Sequence, residues 1–265
     1  NFIKYLNEHN KDISIINIDK LTYAGNLENL KDIEDHDNYT FIQEDICNKK
    51  GLKDIFNRYN PNYIINFAAE SHVDRSIQSS EEFIKTNVLG TQALLECSLH
   101  GDINRFIQIS TDEVYGSTET GCFTETSPLK PSNPYAASKA SADLLVQSFY
   151  NTYGLPTIIT RSSNNYGPYQ HNEKLIPKTI THCLKGKTIP IYGQGTNVRD
   201  WIYVKDHCYA INTILNKGSI GEIYNISSNN EERNIDIVRM IIDKTKETLQ
   251  SRGLDAKGIS EDLIK

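Results

Sequence analysis

Phe106-Ile107-Gln108-Ile109-Ser110-Thr111-Asp112-Glu113-Val114-Tyr115-Gly116 begins as an apolar strand and ends as an acidic turn. The C-terminal edge of a central parallel strand is where open α/β sheets bind ligands. Working outward, the strand at 105–109 has apolar counterparts. They lie at 13–18, closing on Asp19, at 39–43, ending near Asp45, at 63–67 and at 157–160. Helical patterns separate them. One runs over 51–59. A longer one covers 82–99, with Ile84, Val88, Leu95 and Leu99 on one face. A third covers 135–150, turning Ala136, Ala140, Leu144 and Leu145 toward a core. Strands this apolar are buried on both faces. Their alternation with helices predicts a doubly wound, Rossmann-like α/β fold with a parallel sheet.

The texture changes after Tyr166. Pro168, Pro177, Pro190, Gly193 and Gly195 interrupt it, and helical stretches at 174–184, 205–215 and 235–249 alternate with short strands such as 223–226. The chain is expected to divide into a dinucleotide-binding domain over 1–166 and a smaller, partly interleaved C-terminal substrate domain over 167–265. Residues Asn1-Phe2-Ile3-Lys4-Tyr5-Leu6 have the character of the middle of a first helix. A strand and a glycine-rich turn are therefore expected to precede Asn1 in the parent protein, and a closing element is expected after Lys265.

Composition narrows the class. Of 265 residues, 38% are hydrophobic and 23% charged, as in ordinary globular proteins. No apolar run is long enough for a membrane span, and no secretory leader is visible. A net charge of -6 leaves no basic footprint for nucleic acid, so an anionic ligand must be held by a few local cations. The five cysteines, Cys47, Cys97, Cys122, Cys183 and Cys208, are scattered and never spaced as Cys-x-x-Cys. That argues against a disulfide framework and a zinc site, and for a reduced, cytoplasmic protein with no metal.

Four groups of residues could carry chemistry. Asp19 ends a strand, where an acid holds adenosine ribose hydroxyls and repels a 2′-phosphate, although a turn aspartate is also common there. Tyr135 and Lys139 stand four apart on one helix face. An ammonium group or a cationic nicotinamide would favour the phenolate of a base whose reference pKa is about 10. With 15 tyrosines, such a pair also arises by chance. Asp112 and Glu113 repel one another in a shielded place, which suits one acid working with one base. Arg199 can pair bidentately with a phosphate or sit in a surface salt bridge.

Asp19-Lys20-Leu21-Thr22-Tyr23-Ala24-Gly25-Asn26, Phe67-Ala68-Ala69-Glu70-Ser71-His72-Val73-Asp74-Arg75-Ser76, the segment from Ser110 to Gly116, Tyr135 to Lys139, and Arg199-Asp200-Trp201-Ile202-Tyr203-Val204 extend along the chain. Together they resemble the extended short-chain dehydrogenase/reductase superfamily and, within it, the dTDP-glucose 4,6-dehydratases. The Thr-Asp-Glu triplet discriminates best, since sugar epimerases of the superfamily usually lack the acid pair. The resemblance implies a dehydration of dTDP-glucose to the 4-keto-6-deoxy sugar on bound NAD. Thr111 and Tyr135 would hold the sugar 4-hydroxyl, with Tyr135 taking its proton. Glu113 would remove the C5 proton, Asp112 would protonate the departing 6-hydroxyl, and Lys139 would bond the nicotinamide ribose. NAD contacts would fall on Asp19, Lys20, Leu21, Thr22, Asp45, Ile46, Phe67, Ala68, Ala69, Glu70, Ser71, Thr86, Tyr135, Lys139 and Asn164. Substrate contacts would fall on Ser71, Thr111, Asn165, Lys174, Leu175, Pro190, Ile191, Tyr192, Arg199 and Asn234. A homodimer built on the helices at 82–99 and 134–153 is implied as well, and the family suggests rhamnose or other deoxysugar synthesis.

Two rival readings compete with this one. A nucleotide-sugar 4-epimerase, or another dehydratase on the same scaffold, shares the frame, but an epimerase needs no acid–base pair for water loss. A catalytically silent NAD-binding regulator would be expected to lose catalytic residues, yet Thr111, Asp112, Glu113, Tyr135 and Lys139 are all present.

Overall fold

A computed structural model describes residues 1–10 and 12–265. The chain forms two compact units, one of Phe2–Ser162 with His207–Ile226, the other of Asn1 with Ser163–Asp206 and Ser227–Lys265. The first break falls four residues before the boundary read from the sequence. The segment His207–Ile226 returns to the larger unit.

In the larger unit, α1 (Phe2–His9) is followed by β1 (Ile15–Asp19) and β2 (Tyr39–Gln43), which pair in parallel. Then come α2 (Lys49–Tyr59), β3 (Tyr63–Asn66), α3 (Val73–Gln78), α4 (Glu81–Phe83) and α5 (Thr91–Ser98). After them stand β4 (Arg105–Thr111), α6 (Pro134–Tyr153) and β5 (Thr157–Ser162). In the smaller unit, β6 (Asn164–Tyr166) is followed by α7 (Leu175–Leu184) and β7 (Val198–Tyr203). Helix α8 (Val204–Lys217) leads back to the larger unit and to β8 (Ile223–Ile226). The smaller unit closes with β9 (Glu231–Arg233) and α9 (Asn234–Ser251).

The central sheet has the order β3-β4-β5-β8, all parallel, as the apolar strands predicted. Among the described residues β1 and β2 form a separate pair. Every residue of β5 is buried, and Phe106, Ile107, Leu52 and Leu95 are fully enclosed. Burying each such side chain stabilises the fold by about 1.5–3 kcal/mol before entropy is counted. The parallel arrangement brings Asn66, Thr111, Ser162 and Ile226 to the same end of the sheet. The smaller unit has its own sheet, β6-β7-β9, and its own core around Cys183, Ile189, Val238 and Ile242.

Two helices differ from the periodic reading. The pattern over 82–99 is interrupted by a π-helical turn, Ile84–Gly90, between α4 and α5. The wider turn shifts the inward face, so Phe83, Asn87 and Gly90 are buried while Ile84 is 45% exposed. Gly90 is dictated by packing, because a Cβ there would lie 2.5 Å from Ile46 Cδ1. In α6 the core-facing row is Ala136, Ala140, Asp143 and Val146, and Leu144 is 55% exposed. A buried acid among alanines defeats a hydrophobic count. Strands β7 and β9 are absent from the sequence reading; β9 is short and mostly exposed, and β7 buries only Trp201 and Ile202.

Candidate active site

The acidic turn follows β4 directly. Asp112–Tyr115 form one turn of 3-10 helix, N-capped by Thr111, whose hydroxyl accepts from the Glu113 amide at 3.3 Å. The same hydroxyl donates to Asp112 Oδ1 at 3.3 Å. Gly116 closes the turn at φ +87°, where a Cβ would come within 2.4 Å of the Lys130 carbonyl. Glycine is therefore required by both conformation and space.

Helix α6 supplies the second half. Asn133 caps it, accepting from the Ala136 amide at 2.8 Å, and Pro134 starts it with a preset φ. The Asn133 amide nitrogen also donates to Glu113 Oε2 at 3.4 Å, so one side chain ties the helix start to the acidic turn. Tyr135 lies in the first turn, buried, and hydrogen-bonds with Thr111. Lys139, 4% exposed, donates to the Ile109 carbonyl at 2.6 Å. Thr111, Asp112, Glu113, Tyr135 and Lys139 thus gather at one strand end.

The electrostatics depart from the sequence reading. Burial lowers Lys139 to about 8, with the Asp143 charge opposing. Burial, then the Glu113 charge, raises the Tyr135 phenol, and the Thr111 hydrogen bond only partly compensates. In the chain alone desolvation therefore outweighs any help from Lys139, because a buried phenolate loses its hydration.

The other candidates of the larger unit stand at neighbouring strand ends. Asp19 terminates β1 and accepts from the Leu21 amide at 2.7 Å, with Leu21 at φ 55°. Lys20 pairs with Asp45 at 2.8 Å, and Thr22 accepts from the Gly25 amide at 2.9 Å. Burial pushes the Asp45 carboxyl up, but Lys20 and the Cys47 amide together bring it below the usual range. Ile46 is buried, and Thr86 is half-buried in the π turn. Phe67, Ala68, Ala69, Glu70 and Ser71 form the loop after β3. The Ala68 amide donates to Asn66 Oδ1 at 3.2 Å.

A residue missed by the sequence reading holds this loop. Asn87, 1% exposed, accepts from the Glu70 amide at 2.8 Å and donates to the Glu70 carbonyl at 3.0 Å. It also donates to Ser138 Oγ at 2.8 Å, between Tyr135 and Lys139 on α6. Nothing in the sequence marks Asn87, whose inward aim depends on the π turn. Asn133 could have been found, since Asn before Pro ahead of a helical pattern is a start signal.

In the smaller unit, Asn164 and Asn165 lie on β6, and Asn165 donates to the Ser163 carbonyl at 3.1 Å. Lys174 is the N-cap residue of α7 and Leu175 its first residue. Pro190, Ile191 and Tyr192 lie in a loop where Tyr192 is 80% exposed. Arg199 is exposed on β7 and donates to the Val198 carbonyl at 2.9 Å. Asn234 opens α9, its amide donating to the Asn197 carbonyl at 3.0 Å. A separate cavity of about 370 Å³, lined by Lys53, Phe56, Asn57 and His100, contains none of these residues. Among the described residues no cluster could hold a metal ion, and no helix is long and apolar enough to cross a membrane.

The sequence profile described as GDP-mannose 4,6 dehydratase matches residues 1–262. A relative from Haloferax volcanii, the low-salt glycan biosynthesis protein Agl12, is 50% identical over 264 residues, covering 100% of this chain and 80% of its own. A dTDP-glucose 4,6-dehydratase of Neisseria meningitidis is 48% identical, covering 90% of this chain and 70% of its own. The crystal structure of a dTDP-glucose 4,6-dehydratase from Bacillus anthracis in complex with NAD superposes with a TM-score of 0.86. It is 46% identical, covering 100% of this chain and 78% of its own.

Proposed function

The chain belongs to the family described as GDP-mannose 4,6 dehydratase, among its dTDP-glucose 4,6-dehydratase members, and on that premise we propose how its residues divide the work. It is an NAD-dependent hydro-lyase that converts dTDP-glucose to dTDP-4-keto-6-deoxyglucose. The observation that carries the assignment of roles is the acidic turn next to Tyr135, joined through Thr111. Ketone formation at C4 makes the C5 proton removable. Water loss then needs a base for that proton and an acid for the 6-hydroxyl, and Glu113 and Asp112 take those roles. Thr111 and Tyr135 hold the 4-hydroxyl, and Tyr135 accepts its proton. The 4-epimerase reading leaves the two carboxylates without a task.

The residues at the strand ends fit a dinucleotide. Asp19 offers a carboxylate at the end of β1, Asp45 neutralises Lys20, and the loop after β3 is held rigid by Asn87. When bound, NAD supplies reversible hydride storage, so the sugar is rearranged without net oxidation. Lys139 bonds the nicotinamide ribose, and Asn164 completes the cofactor contacts. Lys174, Leu175, Pro190, Ile191, Tyr192, Arg199, Asn165, Asn234 and Ser71 hold the nucleotide sugar, with Arg199 on a phosphate. The unit of Phe2–Ser162 serves chiefly NAD, and the smaller unit the substrate.

The proposed partner is a second copy of the chain. Ile84, Leu89, Leu144 and Tyr153, on the two helices expected to pair, are between 45% and 60% exposed. Four helices of such a pair would cover them. A monomer in sedimentation at micromolar concentration would refute the dimer. A cytoplasmic location is proposed on the five free cysteines, and recovery in a membrane pellet would overturn it.

The division between the carboxylates is tested in single turnover. Asp112→Asn and Glu113→Gln should both form reduced nicotinamide and then stall, each losing about 100-fold or more in overall rate. Replacing the 6-hydroxyl by fluoride should rescue Asp112→Asn far more than Glu113→Gln. Equal rescue, or no reduced nicotinamide in either variant, would reverse the assignment.

A further inference from the structure

Beneath the five catalytic residues lies a buried ion pair that the reaction does not use directly. Arg161 on β5 is 2% exposed in its side chain, and Asp143 on α6, four residues beyond Lys139, is fully buried. Arg161 Nε donates to Asp143 Oδ2 at 2.9 Å. Its Nη1 donates to the Tyr115 hydroxyl at 2.9 Å, and that hydroxyl donates to Asn225 Oδ1 at 2.7 Å. Tyr115 is the last residue of the turn that carries Asp112 and Glu113. Asp143 belongs to the helix that carries Tyr135 and Lys139. One guanidinium therefore grips both catalytic segments from below.

We propose that Arg161 is a positioning residue that fixes the acidic turn against helix α6 by forking between Tyr115 and Asp143. This rests on the roles given above to Glu113 and Tyr135. Two considerations support it beyond the ion pair itself. A buried ion pair is weak evidence of stabilisation by itself, since apolar residues of similar volume often serve as well. The fork geometry suits arginine and no other side chain, because its donors point along fixed, divergent directions. Asp143 Oδ1 and Ser110 Oγ are both buried without a well-aligned hydrogen bond. The hydroxyl still lies close enough to stabilise the carboxylate, so the Asp143 end of the fork is itself held from the end of β4.

The two arms predict unequal effects on two steps. Tyr115→Phe keeps the ring, its stacking on Phe123 at 5.1 Å and the ion pair, and removes only the hydroxyl. Arg161→Lys keeps the charge opposite Asp143 and loses the second prong. Both variants release the turn while leaving α6 held. Oxidation at C4 is read from reduced-nicotinamide absorbance. Proton removal at C5 is read from deuterium uptake out of solvent. We expect C5 exchange to slow about 10-fold in each variant, with C4 oxidation within about 3-fold of the parent chain. The double variant should be no worse than the worse single one, since both remove the same contact. Thermal unfolding of each variant provides the folding control. Tyr115→Phe retains the pair and keeps the test open if Arg161→Lys is poorly folded. Equal slowing of both steps, unchanged C5 exchange, or additive losses in the double variant would overturn the proposal. Failure of the parent chain to form any 4-keto product would instead overturn the function on which it rests.

Discussion

The residues assigned to chemistry and those assigned to substrate binding are built differently. In the larger unit Thr111, Tyr135 and Lys139 are all below 10% exposed, and the segments bearing them are tied by Asn87, Asn133 and Arg161. In the smaller unit Arg199, Pro190 and Tyr192 are exposed, and among the described residues the Arg199 guanidinium donates to its neighbour's carbonyl. Groups that must meet a transition state within a fraction of an ångström need supporting contacts. Groups that hold a diphosphate through charge tolerate looser placement. Substitutions in the first region should therefore reduce kcat and those in the second should raise KM.

The largest effect is expected at Tyr135. On the roles proposed above, Tyr135→Phe removes the base for the 4-hydroxyl and should slow oxidation by about 1,000-fold, roughly 4 kcal/mol of barrier. A loss below tenfold in a folded variant would place the base elsewhere.

Acid tests the same region through stability. His207, 6% exposed at the start of the segment that returns to the larger unit, is lowered by burial to about 4 from 6.5. The unfolded imidazole takes up a proton near pH 6.5 while the folded one stays neutral. This contribution is complete above pH 6.5 and is lost as pH falls toward 4. It amounts to about 3 kcal/mol across that window. Denaturant unfolding at several pH values should show the loss in the parent chain and a shallower slope in His207→Leu. Identical slopes would mean that His207 is solvated.

Arg199 is the corresponding test in the smaller unit. Arg199→Ala should raise KM about 30-fold, near 2 kcal/mol, with kcat almost unchanged. A fall in kcat with constant KM would erase the contrast between the two regions.

Asn133→Ala should have the smallest effect. Loss of the cap costs about 1 kcal/mol in unfolding free energy. Asn133→Ser restores the cap but not the reach to Glu113. Recovery of stability with C5 exchange still slowed would show that the two functions of Asn133 separate. Full recovery of both would deny it any hold on Glu113.

How much was legible follows from particular elements. Strand β2 and strand β8 have the bounds predicted for them, and β4 runs two residues further, through Thr111. Helix α6 was read correctly in place and at Ala136, Ala140 and Leu145, but Leu144 faces outward and Asp143 is buried where a periodic count expects an apolar residue. The helix over 82–99 was read as continuous, because a π turn leaves no mark in hydrophobic spacing. Asp112, Glu113, Tyr135 and Lys139 were singled out by their types, their order and the family resemblance, and the structure gathers them at one strand end.

The sequence by itself determined the α/β class and the parallel strands, and it singled out the side chains to which the catalytic roles are proposed. Runs of apolar residues and short motifs are local properties, and local chain chemistry is written residue by residue. Only the tertiary structure decided that Arg161 meets Tyr115 and Asp143, that Asn87 reaches Glu70 and Ser138, and that Tyr135 and Lys139 are held where burial opposes their charged forms. These contacts join residues up to 51 positions apart. They arise from the close packing of strands and helices, which no single segment specifies.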